Sequence, residues 1–289
     1  MRMTAVFCWL LACLAQPALA ASSPELKPLE QRLSWLLASK SGDYGVAALD
    51  MATGQTVSIN GDHPYPMAST VKVAVAAAYL AQVDHGRRSL KDQIGSRSAA
   101  QLMEAMLIRS DNLATDILIH NLGGPATVQT WLNFNGMHGL RIDRTIAQLL
   151  RDKRDLWDPR DSSTPEAMVS MLRTIDRGNV LKPASRSYLL ATMARCMTGK
   201  NRIRSLLPAG TPVQNKTGTL NRLTTDVGFI TMPDGRRIAV AFFARGGADR
   251  SRSIAEAARA VYDGFSAHWR SWTGALSAPA SLTRANALP

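Results

Sequence analysis

Ser69 and Lys72 lie three residues apart at the start of a long apolar run. This position predicts that Ser69 occupies the first turn of a helix, and the spacing then places Lys72 on the same face, one turn along. A serine hydroxyl is a weak nucleophile that needs a neighbouring base, and N–H groups at a helix N-terminus stabilise negative charge on an attacked oxygen. The pair therefore suits acyl transfer, although this spacing alone is weak evidence because any helix can contain it by chance.

Two further short motifs follow in order along the chain. Ser110-Asp111-Asn112 stands between two helical stretches, and Lys216-Thr217-Gly218 is predicted to end a strand. Gly218 has no side chain, so the strand can approach a ligand closely at this point. Together the motifs have the order and approximate spacing of S-x-x-K, S-D-N and K-T-G in class A β-lactamases and penicillin-binding proteins. A chance match of all three is improbable.

The resemblance to class A β-lactamases covers the chain from about Gly45 to Gly247. Further similar segments are Gly123-Gly124-Pro125, Arg160-Asp161-Ser162-Ser163-Thr164-Pro165, Thr198-Gly199-Lys200-Asn201-Arg202-Ile203-Arg204 and Leu207-Pro208. The resemblance implies a β-lactamase/transpeptidase-like fold. It also implies a serine hydrolase that opens β-lactam rings through an acyl-enzyme on Ser69.

The resemblance assigns catalytic roles by position. Ser69 matches the acylated serine, and Lys72 matches the amine that takes its proton. Ser110 matches the hydroxyl that passes a proton to the departing lactam nitrogen, and Asn112 matches the amide that holds the substrate's acylamino side chain. Lys72 can act as a base only where part of it is neutral, and burial beside Lys216 is expected to lower its proton affinity.

The same resemblance implies which groups bind the substrate carboxylate and which stabilise the oxyanion. Lys216 and Thr217 match the pair that binds the carboxylate, and the backbone N–H groups of Ser69 and Thr219 are expected to form the oxyanion hole. Arg222 follows this strand closely enough to assist carboxylate binding, but ordinary solvation of its side chain is an equally good interpretation.

One departure from the family concerns deacylation. Class A enzymes carry a glutamate and an asparagine in the Ω-loop, where they activate the deacylating water. Anchored on Asp143-Arg144, the corresponding positions are Ile146 and Leu150, both apolar. Glu166 does not substitute by position, because it follows Pro165 at the predicted start of the next helix. Water near an ester needs a general base at neutral pH, so slow deacylation is expected.

The loop from Arg151 to Pro159 is longer than in the family and contains Asp152, Asp155 and Asp158. These three are interpreted as surface charges rather than catalytic groups. If none of them reaches the ester, the protein should behave more like a penicillin-binding protein.

The periodicity along the chain predicts the elements that position these motifs. An amphipathic helix is predicted from Pro24 to Leu37, then a hairpin, then a largely helical middle, and strands again near the end. The predicted strands are 45–49, 55–59, 212–216, 227–232 and 238–244, and the last helix runs from about 252 to 268. The fold class is therefore α/β of the α+β kind, with an antiparallel sheet from both chain ends packed with helices, plus an all-helical subdomain.

Residues 1–20 have the pattern of a secretory signal peptide: Arg2, an apolar stretch and Ala18-Leu19-Ala20. No segment approaches the roughly 18 apolar residues of a membrane span, so a secreted or periplasmic protein is expected. Residues 21–276 are predicted to form one catalytic domain, whose α/β part is 21–68 and 206–276 and whose helical part is 69–205. Residues 277–289 are predicted to be a flexible tail.

Composition excludes several function classes. The formal charge of +12 favours anionic partners, but no basic stretch is interleaved with aromatic residues, which argues against nucleic acid. The five histidines show no metal-ligand spacing, and neither a metal nor a cofactor is expected. Cys8 and Cys13 leave with the signal peptide, so Cys196 is predicted to be an unpaired, buried thiol.

Three functions fit the sequence. The leading one is a serine β-lactamase with altered deacylation. The second is a D-alanyl-D-alanine carboxypeptidase or penicillin-binding protein, which shares the serine chemistry. The third is a non-hydrolytic β-lactam-binding sensor, supported only by the missing glutamate. We expect a monomer whose partner is a small-molecule β-lactam or a D-Ala-D-Ala peptide.

Overall fold

The computed structural model describes residues 22–152 and 155–277. The predicted signal peptide and, beyond Ser277, the predicted tail lie outside these residues and stay predictions. The strands are β1 (Asp43–Asp50), β2 (Thr56–Ile59), β3 (Tyr65–Pro66), β4 (Gln93–Ile94), β5 (Arg97–Ser98), β6 (Ser162–Ser163), β7 (Val213–Leu220), β8 (Leu223–Thr231) and β9 (Arg237–Arg245). The helices are α1 (Lys27–Ala38), α2 (Lys72–Asp84), α3 (Ala99–Ile108), α4 (Asn112–Leu122), α5 (Pro125–Phe134), α6 (Ile146–Arg151), α7 (Pro165–Asp176), α8 (Pro183–Ala194) and α9 (Arg250–Ser277).

The main sheet has the strand order β2-β1-β9-β8-β7, and every neighbouring pair is antiparallel. The predicted N-terminal hairpin is therefore present as β1 and β2, and β1 pairs directly with β9 from the other end of the chain. This confirms the predicted fold class, a sheet assembled from both chain ends around a helical middle.

Helices cover both faces of this sheet. Val46 and Ala48 of β1 belong to the core under α1 and α9, whereas Ala47 and Leu49 belong to the core that includes α2 and α7. Successive side chains of a strand point to opposite faces of the sheet. Because both faces are covered here, β1 is buried nearly throughout. The two cores together hold the sheet rigidly in place.

Helix α2 is the central helix of the structure. All of its residues from Lys72 to Ala81 are buried, and small alanines fill much of its surface. A helix buried on every side has no polar face and shows no strong amphipathic pattern. Its N-terminal end, which follows Ser69, is thereby fixed relative to both the sheet and the helical part.

The predicted end of the strand at Lys216-Thr217-Gly218 is wrong. These residues lie inside β7, and Gly218 and Thr219 pair with Thr225 and Thr224 of β8. The turn comes later, at Asn221-Arg222, where Arg222 has a φ of 56°. The threonines continue the strands because β-branched residues fit a pleated sheet.

The first and last predicted helices are both present in the structure. The predicted first helix is present as α1, preceded by a 3₁₀ turn at Pro24–Leu26. The last helix, α9, starts near the predicted residue but continues to Ser277, beyond the predicted end at about residue 268. No helix in the described part of the chain has the length and apolar character that a bilayer crossing needs.

Candidate active site

Ser69 lies in one turn of 3₁₀ helix, Ala68–Val71, that runs directly into α2. The carbonyl oxygen of Met67 accepts hydrogen bonds from the Thr70 amide at 3.2 Å, the Thr70 hydroxyl at 2.7 Å and the Thr225 hydroxyl at 3.2 Å. The bonds from Thr70 hold the turn together, and the bond from Thr225 attaches it to β8. Lys72 follows one turn after Ser69, as predicted.

Gly218 allows β7 to pack against this turn. An added Cβ at Gly218 would lie 2.8 Å from the Met67 carbonyl oxygen and 2.9 Å from the Ala68 Cβ. From the sequence, Gly218 is expected to let the strand approach a ligand closely. The structure shows a close approach of this strand to the segment that carries Ser69, so Gly218 helps to set the distance between the two motifs.

Replacing Gly218 with alanine is expected to lower stability by about 1–3 kcal/mol, because backbone or side chains near Ser69 must move to admit the methyl group. A displacement of about 1 Å at the nucleophile is expected to slow acylation by about a hundredfold. Thermal unfolding and the rate of acylation by a chromogenic cephalosporin measure both effects. Unchanged acylation in the folded variant would contradict the assigned spacing.

Ser110 lies between both lysines of the predicted site. Its Oγ accepts hydrogen bonds from Lys72 Nζ at 3.2 Å and from Lys216 Nζ at 2.9 Å. The residue has a φ of 60° and stands between α3 and α4, where Asp111 caps α4 by accepting from the Ala114 amide at 2.7 Å. Two donors occupy the acceptor positions of the Ser110 hydroxyl. Its own proton is therefore available to a ligand.

Lys72 is surrounded by acceptors. In addition to Ser110 Oγ, its Nζ donates to the Ser110 carbonyl oxygen at 2.7 Å and to Asn112 Oδ1 at 2.7 Å. An ammonium group has three N–H donors, and these three acceptors satisfy all of them. The amine thus holds the S-D-N segment next to the start of α2, and it orients the Asn112 side chain.

Burial lowers the proton affinity of both lysines. Desolvation, followed by the positive charge of Lys216, lowers the pKa of Lys72 to about 7. Desolvation lowers the pKa of Lys216 to about 8. The expected effect on Lys72 is present, with burial as the larger cause and Lys216 as the smaller one. At neutral pH, a substantial fraction of Lys72 is the free amine that a general base requires.

A buried arginine braces β7 beside the predicted carboxylate site. Arg202 Nη1 donates to the carbonyl oxygens of Gly218 and Thr225, each at 3.0 Å, and Nη2 donates to Thr219 Oγ1 at 2.6 Å. Arg222, which the sequence also suggests for carboxylate binding, is exposed at the turn. Arg202 is thus a buried cation in contact with Thr219.

The chain is similar to known proteins over most of its length. Residues 28–265 match the Beta-lactamase enzyme family. The chain is 31% identical to β-lactamase CTX-M-8 of Citrobacter amalonaticus, over 88% of this chain and 95% of that protein. It is 28% identical to the extended-spectrum β-lactamase PER-1 of Pseudomonas aeruginosa, over 84% of this chain and 88% of that protein.

Solved structures give the same result. An ancestral class A β-lactamase aligns with a TM-score of 0.78 at 36% identity, covering 82% of this chain and 100% of that one. A β-lactamase from Xanthomonas campestris pv. campestris aligns with a TM-score of 0.79 at 29% identity, covering 83% and 98%. The chain belongs to the class A β-lactamase family. Its activity is serine β-lactam hydrolysis.

In this β-lactamase, Ile146 begins α6, and its side chain is only 6% exposed. Thr145 caps the helix, and Asp116 of α4 accepts from the backbone amides of Ile146 at 2.6 Å and Ala147 at 2.8 Å. Asp116 therefore fixes α6 against α4. Neither Ile146 nor Leu150 provides a proton acceptor where the family has its glutamate and asparagine.

Asp152 and Asp158 of the long loop pair with arginines, whereas Asp155 is exposed, as a surface charge would be. Arg144 pairs with Asp161 at 2.6 Å, Asp152 at 2.7 Å and Asp158 at 3.3 Å, and only 7% of its side chain is exposed. The hydrogen bond and charge of Arg160 lower the pKa of Asp158 to about 2. Asp158 was interpreted as a surface charge, but its side chain is only 10% exposed and pairs with both Arg144 and Arg160. Glu166 is also engaged, accepting from the Ser58 hydroxyl at 2.7 Å.

One charged residue that acts on Lys216, the buried Asp226, was missed from the sequence. Asp226 of β8 is fully buried and accepts from the Asn215 amide at 2.8 Å and the Ile203 amide at 3.3 Å. Burial raises its pKa to about 7, against the opposing effects of Asn215 and Arg202. In its ionised form, Asp226 offsets the positive charges of Lys216 and Arg202. Cys196 is buried and unpaired, as predicted.

Proposed function

We propose that this β-lactamase opens the lactam ring through an acyl-enzyme on Ser69 and that hydrolysis of the acyl-enzyme is its slow step. The observation that carries the proposal is the convergence of Lys72 and Lys216 on one hydroxyl, Ser110, beside the turn that holds Ser69. Substrate lies in the groove lined by β7 and the S-D-N segment. Lys216 and Thr217 bind its carboxylate, and Asn112 binds its acylamino group.

The acylation step uses Ser69 together with Lys72, Ser110 and Lys216, of which both lysines contact the Ser110 hydroxyl. Ser69 Oγ bonds to the lactam carbonyl carbon and gives its proton to neutral Lys72, while the N–H groups of Ser69 and Thr219 stabilise the oxyanion. The carbon–nitrogen bond then breaks, and the nitrogen takes the proton of Ser110. Ser110 recovers a proton from Lys72 across their 3.2 Å contact. Lys72 returns to the free amine, so the protons balance.

Deacylation lacks the corresponding machinery. Ile146 and Leu150 replace the family's glutamate and asparagine. Both oxygens of the nearby Asp116 carboxylate already accept hydrogen bonds from the backbone N–H groups of Ile146 and Ala147. A water that attacks the ester without a general base loses about a hundredfold or more in rate. The ester on Ser69 is therefore expected to persist.

The test mixes the purified protein with a chromogenic cephalosporin and follows colour and intact mass together. We expect a burst of one equivalent, a mass adduct on Ser69 and a slow steady rate afterwards. Ser69→Ala, which changes only the nucleophile, should give neither burst nor adduct. An adduct that maps to another residue, or fast turnover without an adduct, would overturn the proposal.

The missing glutamate also favours the D-alanyl-D-alanine carboxypeptidase as a second candidate. The serine chemistry would be the same, with a peptide stem as the substrate. Release of D-alanine from such a stem would support it. A persistent adduct with neither D-alanine release nor steady hydrolysis would instead indicate a β-lactam-binding sensor.

Export and assembly complete the proposal. The pattern of residues 1–20 supports secretion to the periplasm or the medium, where the enzyme would encounter β-lactams. We expect a monomer, which sedimentation of the purified protein would test.

A further inference from the structure

Asp226 contacts the chain neighbours of two buried cations. It is fully buried in β8. Its Oδ1 accepts from Asn215 Nδ2 at 2.8 Å, and its Oδ2 accepts from the Ile203 amide at 3.3 Å. Asn215 directly precedes Lys216, and Ile203 directly follows Arg202. One carboxyl group thus lies close to both positive charges of this part of the sheet.

The Asn215 amide has one possible orientation. Its Oδ1 accepts from Arg204 Nε at 3.0 Å and from Arg204 Nη2 at 2.9 Å. A guanidinium group only donates, so the amide oxygen must face Arg204 and the amide nitrogen must face Asp226. Arg204 Nη2 also donates to the Val213 carbonyl oxygen at 2.6 Å, which anchors the guanidinium at the start of β7. Asp226 therefore meets a fixed donor, which favours its ionised form.

The charge states of Asp226 and Lys216 support each other. Burial raises the pKa of Asp226 to about 7, against the opposing effects of its donors and of the nearby cations. Burial lowers the pKa of Lys216 to about 8. Between about pH 7 and 8, most of Asp226 is therefore ionised while most of Lys216 is protonated. Each of these opposite charges favours the other.

Other titratable groups also face Lys216. Cys196 would favour the ammonium form once its thiol is ionised, Arg202 opposes that form, and Lys72 carries a like charge. Cys196 Sγ, however, donates to a backbone carbonyl oxygen at 3.8 Å, a contact that uses the proton of the neutral thiol. Among these groups, Asp226 is thus the one whose contacts suit a negative charge.

We propose that Asp226 is a positioning residue for acylation, whose buried negative charge keeps Lys216 in the ammonium form that binds the substrate carboxylate. The inference rests on the proposed function, because it takes Lys216 to bind that carboxylate. Lys216 Nζ donates to Ser110 Oγ at 2.9 Å and to the Thr217 carbonyl oxygen at 2.8 Å. Within the described residues, these two acceptors leave one N–H of the ammonium group for the ligand. A charged donor binds a carboxylate more strongly than a neutral amine does.

The test follows the titration of Lys216 by NMR in protein carrying isotope-labelled lysine, and Lys216→Arg assigns the signal by its loss. Asp226→Asn keeps the size of the side chain and removes its charge. It is expected to lower the pH midpoint of Lys216 by about one unit. Asn215→Ala removes a donor to ionised Asp226 and should shift the midpoint in the same direction by less. It decides the question if Asp226→Asn does not fold.

The same shift should appear in acylation. At about pH 8, half of Lys216 is protonated in the parent, so a shift of about one unit should lower the second-order rate constant for an anionic cephalosporin about fivefold. The methyl ester of the same compound has no carboxylate for Lys216 to bind. Its rate constant should change by less than about twofold.

Two matched controls test other causes. Asp62→Asn makes the same change of charge at a side chain that is 86% exposed, and Cys196→Ser replaces the nearby thiol. Neither should move the midpoint of Lys216 by more than about 0.2 unit. An unmoved midpoint in the folded Asp226 or Asn215 variant, or equal losses for acid and ester, would show a merely structural role and overturn the inference. A parent that no cephalosporin acylates would overturn the proposed function, while the titration would still decide whether Asp226 keeps Lys216 charged.

Discussion

Replacing Ile146 with glutamate is expected to raise the rate of deacylation by about a hundredfold or more. Ile146 begins α6, which Asp116 and Thr145 hold in place through its backbone amides, so the side chain can change while the helix stays. A carboxylate at this position would accept a proton from water beside the ester. Single-turnover decay of the mass adduct on Ser69 measures the rate directly.

The neighbouring Asp116 is expected to limit the gain in deacylation rate of Ile146→Glu. A second carboxylate close to it would be held partly protonated by like-charge repulsion, which weakens it as a base at neutral pH. Combining Ile146→Glu with Asp116→Asn, which keeps one of the two oxygens that accept from the α6 amides, should relieve the repulsion and increase the gain. The pH at which deacylation rises should fall in the double variant.

Ile146→Gln is the matched control, since it has the size and hydrogen bonding of glutamate without a base. It shares the cost of placing a polar group at a position that is 6% exposed, so loss of stability alone would appear in both variants. If Ile146→Glu folds and deacylates no faster than Ile146→Gln, the missing glutamate does not explain slow deacylation.

The sheet was predictable where local signals agreed with the fold. β1 and β2 are short runs with strand-forming residues joined by a turn containing Gly54, so the hairpin was visible in the sequence. The junction of β7 and β8 was not, because its turn at Asn221-Arg222 contains no glycine or proline. Arg222 adopts a φ of 56° without the residue type that normally marks such a position.

The candidate site was predictable because its motifs are short and local. Ser69 and Lys72 lie on one helical turn, and Ser110 and Asn112 lie on one segment. The groups that tune them are distant in sequence. Arg202 and Asp226 look like ordinary surface charges in the sequence, and only the packing of β7 against β8 buries them beside Lys216. Asp116 likewise becomes important only once α6 lies against α4.

The second large effect is expected at Lys72. In the parent, the rate of acylation should rise as the pH passes about 7, because Lys72 loses its proton and becomes a base. It should fall above about 8, because Lys216 then loses the charge that binds the substrate carboxylate. Lys72→Ala should slow acylation by about a hundredfold to ten-thousandfold and remove the rise near pH 7.

The shape of the pH profile distinguishes a base from a structural cation. Lys72 also holds Ser110 and Asn112, so its loss could slow acylation by misplacing them, but such a loss would be similar at every pH. Loss of the rise near pH 7 with retention of the fall above about 8 requires that Lys72 itself titrates in the reaction. Lys91→Ala, which removes an exposed lysine, should leave both limbs intact. Acylation by Lys72→Ala that matches the parent at all pH values would remove Lys72 from the role of base and leave the Ser69 proton to another acceptor.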